Sequence, residues 1–371
     1  MSHRFSIAYF AHSLRSDWNN GNAHFLRGLL RSLRHLGHDV VIFEPAQSWS
    51  IENLRSESAG AHSLQRFSDI YPDLSVHPYD SNDVSKLECW RELLHKVDVI
   101  IVHEWNPPAL AQALLRLRDE MSFRLVFHDT HHRASSSPEQ IRLLSIDRFD
   151  AVLAFGEALA TVYREQFNIQ QVWTLHEAAD TTVFKPIPGL RKENDLVWIG
   201  NWGDDERSAE IKQFLLCPAR ELDDCRFRVY GVRYRDDGLS ALREAGVHYG
   251  GYLPNLCAPA AYAAARLTVH IPRQQYVTAM KGIPTIRVFE ALACGIPLIS
   301  APWQDSERLF REGDFLTARN GAEMRRAMEY LLSDPEAAEA QALRGLETVL
   351  THHTCRHRAQ QLSNVFEESL S

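Results

Sequence analysis

Arg287 and Glu290 stand three residues apart in the segment 283–300, Ile-Pro-Thr-Ile-Arg-Val-Phe-Glu-Ala-Leu-Ala-Cys-Gly-Ile-Pro-Leu-Ile-Ser. On a helix, residues at i and i+3 share a flank. Ile286, Phe289 and Ala293 share another side and read as its buried face. Pro284 suits the first turn of that helix and Gly295 its C-terminal stop. A helix N-terminus carries partial positive charge. The dipole and Arg287 together can hold a diphosphate, and Glu290 can accept hydrogen bonds from ribose hydroxyls. The other meaning of the same spacing is an internal Arg287–Glu290 pair that only holds the helix.

Three further places carry residue types suited to chemistry. The first strand ends at Phe10 and runs into a polar loop, residues 11–22, with Gly21 just before a helix. Such a turn can offer backbone N–H groups to an anion or a polyol, or can be an N-capped surface loop. The strand Leu196–Ile199 runs into Gly200-Asn201-Trp202-Gly203-Asp204-Asp205-Glu206-Arg207. Its glycines permit close backbone approach to a phosphate. Arg207 either gives phosphate a bidentate partner or pairs with Asp204 or Glu206. Titratable residues follow two more strands, in Val102-His103-Glu104-Trp105-Asn106 and Phe127-His128-Asp129-Thr130-His131-His132-Arg133. Asp129 is the first candidate for a general base and His103 the second. Acceptor binding or loop structuring is the alternative for each. Lys281 either balances leaving-group charge or is a solvated loop lysine.

The elements that must position these residues follow from periodicity. Short, near-continuously apolar runs predict strands at Phe5–Phe10, Asp39–Phe43, Val97–Val102, Arg124–Phe127, Ala151–Phe155 and Val172–Leu175. A second set is Leu196–Ile199, Arg226–Tyr230, Leu267–Ile271, Pro297–Ser300 and Phe315–Thr317. Stretches of helical period separate them. In the first, Phe25, Leu26, Leu29, Leu30, Leu33 and Leu36 share a face and Gly37 ends it. Strand–helix alternation predicts parallel sheets with right-handed crossovers. It breaks once, at the Pro- and Gly-containing segment between Asp180 and Asp195, which reads as a linker. The fold expected is α/β, two facing Rossmann-like, doubly wound domains with ligands at the carboxyl ends of the strands, in a cleft. Their expected limits are 1–184 and 185–350, with 351–371 crossing back to the first.

Composition narrows the class. At 371 residues the chain suits two domains. A net charge of -8 argues against a dedicated nucleic-acid binder. No run approaches the ~20 apolar residues of a membrane span, and the N-terminus lacks the marks of a signal peptide. None of the six cysteines forms a Cys-x-x-Cys pair. Free thiols in a reducing, cytoplasmic setting are expected. The pairs His131-His132 and His352-His353 are adjacent rather than four apart, so no metal site is expected.

The segment 287–297 resembles the nucleotide-sugar helix of family-4-type, "group 1" GT-B glycosyltransferases, particularly their spore-maturation, CgeB-like relatives. Asn20-Gly21-Asn22-Ala-His24 with Leu36-Gly37-His38-Asp39-Val40 resembles the family's first strand–loop–helix–strand. His176-Glu-Ala-Ala-Asp180 through Pro186 resembles the entry to the second domain, and Trp198-Ile-Gly200-Asn201 that domain's opening strand. Val247-His-Tyr-Gly-Gly251-Tyr-Leu-Pro254 resembles the strand and loop beside the nucleobase. The stretch His353-Thr-Cys-Arg-His-Arg358-Ala-Gln-Gln-Leu resembles the terminal helix that crosses back.

The resemblance implies a GT-B fold and transfer of a sugar from a nucleotide-diphosphate donor, with no cofactor and no metal. It puts Glu290 on the ribose, Arg287 and, by position, Arg207 at the diphosphate, and Tyr252 and Leu253 beside the base. Gly21, Gly200, Asn201 and Lys281 complete the expected donor site. The acceptor class stays open among saccharide, protein, lipid, small molecule and modified nucleic acid. One departure stands out. Family members usually carry a second glutamate eight residues before the ribose-binding one, and here that position is Gly282. Its absence bears on the sugar and on retention or inversion at the anomeric carbon. Nucleotide-sugar 2-epimerisation and non-catalytic nucleotide-sugar binding are the competing functions.

Overall fold

Strands covered on both faces need near-continuous apolar runs, and these runs build two all-parallel sheets. The computed structural model describes residues 3–203 and 207–370. The chain divides after Glu177 and again after Thr354 into two compact units, 178–354 and the remainder.

The first unit holds β1 (Ser6–Phe10), β2 (Asp39–Pro45), β3 (Val76–Tyr79), β4 (Val99–His103), β5 (Arg124–Asp129), β6 (Ala151–Ala154) and β7 (Val172–Thr174), in the sheet order β3-β2-β1-β4-β5-β6-β7. The helix Ala23–His35 buries Phe25, Leu26, Leu29, Leu30 and Leu33 completely and ends just before Gly37. The last helix, Cys355–Leu370, belongs to this unit and packs against Ala23–His35. Polar bonds fix its place: Arg358 Nε donates to the His176 carbonyl at 2.9 Å, and Gln361 Nε2 donates to the Thr174 carbonyl at 2.8 Å.

The second unit holds β8 (Asn194–Ile199), β9 (Phe227–Tyr230), β10 (His248–Tyr249), β11 (Ala265–His270), β12 (Leu298–Ser300) and β13 (Leu316–Thr317), in the order β10-β9-β8-β11-β12-β13. These are two doubly wound, Rossmann-like layers with helices packed on parallel strands. Every strand expected from an apolar run is present. Two more, β3 and β10, carry no such run. Both are edge strands, where one side of the backbone needs no partner, and Pro78 is tolerated in β3 for that reason.

The helix around Arg287 and Glu290 runs Ile286–Ala293, with Thr285 as N-cap. Pro284 therefore lies just outside it rather than in its first turn. Thr285 takes the extended backbone of a cap, φ -81° and ψ 157°, and that conformation starts the helix one residue later than a proline at the first position would. The C-terminus is a Schellman turn. Ile296 N–H donates to the Ala291 carbonyl at 3.3 Å and Gly295 N–H to the Leu292 carbonyl at 3.0 Å. Gly295 sits at φ +64°, and a Cβ there would come 3.2 Å from Pro186 Cγ. Gly295→Ala is expected to cost about 1–2 kcal/mol, the usual penalty for a side chain in left-handed backbone. Urea unfolding of the two proteins measures it, and equal midpoints would mean that the turn rearranges freely.

Candidate functional site

The middle strands of the first sheet end side by side, and their last residues are polar. His103 closes β4 and Asp129 closes β5, next to His128. All three are buried, as is Glu104. Buried polar groups must find partners or lose their charge, and here both happen. Tyr163 donates its hydroxyl to Asp129 Oδ2, and the His131 N–H donates to Asp129 Oδ1 at 2.9 Å. Arg133 reaches Glu104 Oε2 at 3.3 Å. His103 Nε2 lies 3.1 Å from Thr130 Oγ1, and its Nδ1 lies 3.1 Å from His12 Nδ1. Tyr9 Oη lies 2.8 Å from His128 Nδ1.

Burial pushes the Glu104 carboxyl well up, and the charge of Asp129 adds to it. Burial likewise raises Asp129 to about 6, against the pull of Tyr163 and the His131 N–H. The charge of Asp129 opposes ionisation of Glu104, so the pair favours keeping a proton. Burial holds His12 and His128 down near 3 and His103 well below its ordinary value. These imidazoles are neutral at pH 7. The cluster is a buried proton store beside a half-exposed indole, Trp105, whose ring stacks 3.8 Å from the Arg133 guanidinium.

The loop after β1 is built differently from an open anion cradle. The Leu14 and Arg15 N–H groups donate to Glu44 Oε1 at 2.9 and 3.4 Å. Arg27 is fully buried and donates to the Leu14 and Arg15 carbonyls at 2.7 and 3.0 Å. Gly21 lies beyond this knot, at the start of the Ala23–His35 helix. The other expected donor residues all belong to the second unit.

There, the loops after β8, β9 and β10 are tied to one another. Asn201 Oδ1 accepts from the Val232 N–H at 3.0 Å, and the Gly231 N–H donates to the Gly251 carbonyl at 2.9 Å. Gly200 donates its N–H to the Tyr230 carbonyl. Arg207 donates from Nε and Nη2 to the Asn201 carbonyl at 3.1 and 2.6 Å, and its guanidinium lies 5.3 Å from the Trp198 ring. It also reaches the Ile271 carbonyl, just past β11, at 3.5 Å. Asp204 and Glu206, the other partners proposed for it, lie outside the described residues. Tyr252 and Leu253 are half-buried in the loop after β10.

Glu290 is completely buried. Arg287 Nη1 donates to its Oε2, and Asn255 Nδ2 donates to its Oε1 at 3.1 Å. The internal pair is thus formed, and Asn255 links the loop carrying Tyr252 and Leu253 to the helix. Lys281 is exposed. Its neighbour Gly282 sits at φ +95°, and a Cβ there would collide with Ser306 Oγ at 2.2 Å, with Glu307 Oε1 3.5 Å away. A side chain at 282 is strained by this backbone and requires Ser306 to turn aside, and the Glu307 carboxylate stands close to the same place.

Sequence reasoning passed over Glu104, Tyr163, Asn255, His270 and Thr285. Glu104 was visible beside His103. The others are joined to the site only by folding, and no spacing signals them. Among the described residues, no group of three or more His, Cys, Asp or Glu is arranged to hold a metal ion, and no helix is long and apolar enough to cross a membrane.

A carboxyl raised in the folded state binds its proton more tightly folded than unfolded. Its contribution to stability is present below the unfolded value and is lost as pH rises through the folded one. Glu104→Gln keeps the shape without the titration. The melting temperature of the variant is expected to gain on the wild type steadily from pH 4 to pH 8. A difference that does not vary with pH would show that Glu104 is solvated.

Two family models meet this geometry. One described as "Glycosyltransferase Family 4" matches residues 19–183, and one described as "Glycosyl transferase-like" matches residues 207–364. No characterised protein matches the chain by sequence. Among solved structures, a glycosyltransferase from Rickettsia africae aligns with TM-score 0.67 and 11% identity over 100% of this chain and 99% of its own. HepE of Anabaena, solved with UDP and glucose, aligns with TM-score 0.71 and 13% identity over 98% and 100%. An alpha-glucosyltransferase solved with UDP and a 13-mer DNA containing an HMU base aligns with TM-score 0.69 and 13% identity over 98% and 100%. At such identities these likenesses establish the fold alone.

Proposed function

We propose, for a chain that is a glycosyltransferase of the GT-B superfamily, that the donor is a UDP-sugar bound by the second unit and that transfer needs no metal. The observation carrying this reading is the Ile286–Ala293 helix. Its first turn starts at the carboxyl ends of β11 and β12, its cap makes no side-chain bond to it, and Arg207 and Arg287 stand near that start. A diphosphate there meets N–H groups, the helix dipole and guanidinium charge, which together stabilise it as a leaving group. Glu290, released from part of its hold on Arg287, takes the ribose hydroxyls. Tyr252 and Leu253 border the base, with Gly200 and Asn201 beside the phosphates and Lys281 at the rim.

The acceptor oxygen bonds the anomeric carbon as the bond from that carbon to the phosphate oxygen breaks. UDP leaves with the acceptor's proton on a phosphate oxygen, and the anomeric configuration is retained. This route is favoured because oxygens of Asp129 and Glu104 are already committed to Tyr163, His131 and Arg133. Asp129 and His103 then serve the acceptor side by structuring the loops that follow β4 and β5. The Arg287–Pro297 segment supports a place near the CgeB-like enzymes, working in the cytoplasm.

UDP at 100 times its dissociation constant is expected to stabilise the protein by about 2.7 kcal/mol. Glu290→Gln, which keeps the shape of the buried pair, is expected to weaken UDP binding at least about tenfold, or ~1.4 kcal/mol. Calorimetric titration of both proteins decides it, and equal affinities would remove Glu290 from the donor site. With a UDP-α-sugar and an accepted acceptor, the product is expected to be the α-anomer by proton NMR coupling. A β-product would return Asp129 to the role of base.

A further inference from the structure

Trp105 and His12 follow neighbouring strands. Trp105 comes just after β4 and His12 just after β1, and these strands pair in the sheet. Both residues therefore stand at the carboxyl edge of the first sheet, where open α/β sheets hold their ligands. Their ring centroids lie 6.4 Å apart.

Trp105 is 44% exposed, yet it is held in place. The Arg133 guanidinium lies 3.8 Å from its ring. Arg133 is itself fixed, because Nη2 donates to the Glu104 carbonyl at 2.6 Å and reaches Glu104 Oε2 at 3.3 Å. An indole anchored in this way needs little further ordering to meet a ligand. Its N–H and the Nε2 of half-buried His12 meet no partner among the described residues.

His12 Nδ1 faces His103 Nδ1 at 3.1 Å. Burial, and then the charge of Arg133, hold His12 near 3, so its ring is neutral at pH 7. One proton is shared across the contact between the two imidazoles, and its place decides whether His12 Nε2 gives or takes a hydrogen bond. A hydroxyl satisfies either state, because it can do both. A carboxylate or an ammonium satisfies only one.

This edge thus offers an aromatic face, an N–H donor and a neutral imidazole nitrogen. A sugar ring is the complement. The weakly positive C–H groups of one ring face suit the negative face of an indole, and the hydroxyls at its edge suit the two nitrogens. A polyanion is poorly served, since Arg133 is already paired with Glu104 and the chain carries a net charge of -8.

We propose that Trp105 and His12 bind the acceptor, and that the acceptor is a neutral saccharide whose ring stacks on the indole. The proposal rests on the glycosyl-transfer reading above and names the acceptor class which that reading left open.

The test is saturation-transfer NMR on the UDP-loaded protein. The probes are the methyl glycosides of glucose, galactose, mannose and N-acetylglucosamine, with thymidine as a flat aromatic rival. At least one glycoside is expected to receive saturation, strongest on the C–H protons of one ring face. Trp105→Ala is expected to weaken that glycoside about five- to tenfold and to erase the face preference. Trp105→Phe keeps an aromatic ring and is expected to retain the preference. His12→Leu is expected to weaken binding about fivefold, the worth of one neutral hydrogen bond, with the preference intact. Trp49 is another exposed indole, and Trp49→Ala is expected to change nothing. UDP affinity, titrated separately, is expected to be the same in every variant. Saturation that survives Trp105→Ala, or that Trp49→Ala removes equally, would overturn the proposal. So would binding of no glycoside, or of thymidine alone through Trp105. A wild-type protein that binds no UDP would instead overturn the donor reading, and the same glycoside comparison without UDP then judges this one.

Discussion

A parallel strand that ends beneath a helix leaves its last side chain in a dry place. If that side chain is polar, it must be partnered or discharged. Both units are organised by this constraint. His103 and Asp129 close neighbouring strands in the first sheet, and His270 and Ser300 close neighbouring strands in the second. In each case the solution is a line of hydrogen bonds running from one strand end to the next, with the imidazoles kept neutral by burial. The cost of drying these groups is borne by partners that fix their geometry, and a fixed geometry is what a reacting sugar needs.

The two units use that rule to opposite electrostatic ends. The first collects buried carboxyls and neutral rings, with Arg133 as a nearby cation. The second gathers positive potential, from Arg207, Arg287 and a helix start. His270 lies within that unit as a neutral ring, hydrogen-bonded to Ser300 and Thr285.

Much of this frame was legible in the residues. Central strands such as Val99–His103 announce themselves by unbroken apolar runs, since water touches neither face. The strands Val76–Tyr79 and His248–Tyr249 did not, because an edge strand is held from one side and needs no such run. The Ile286–Ala293 helix, its Arg287–Glu290 pair and its glycine stop follow from local spacing, which sequence preserves. Its cap does not. Pro284 is the louder signal, yet Thr285 is the cap because a histidine fifteen positions away holds it. Asn255 on Glu290 and Tyr163 on Asp129 are hidden for the same reason, each bond spanning over thirty residues. Periodicity encodes faces, and only the closed fold decides which buried groups meet.

Gly282 shows how such packing constrains a lineage. Its left-handed backbone and the Ser306 oxygen crowding it make any side chain at position 282 costly. Trp303 pins the same loop down by donating to the Ile283 carbonyl at 3.1 Å. A substitution at 282 therefore couples to its neighbours: the Ser306 side chain must turn and the strained backbone must be carried by the loop. Residues 303–307 are drawn into the same coupling, because Trp303 and Ser306 both meet this loop and Asp305 accepts from the Leu309 and Phe310 N–H groups at 3.0 and 2.8 Å.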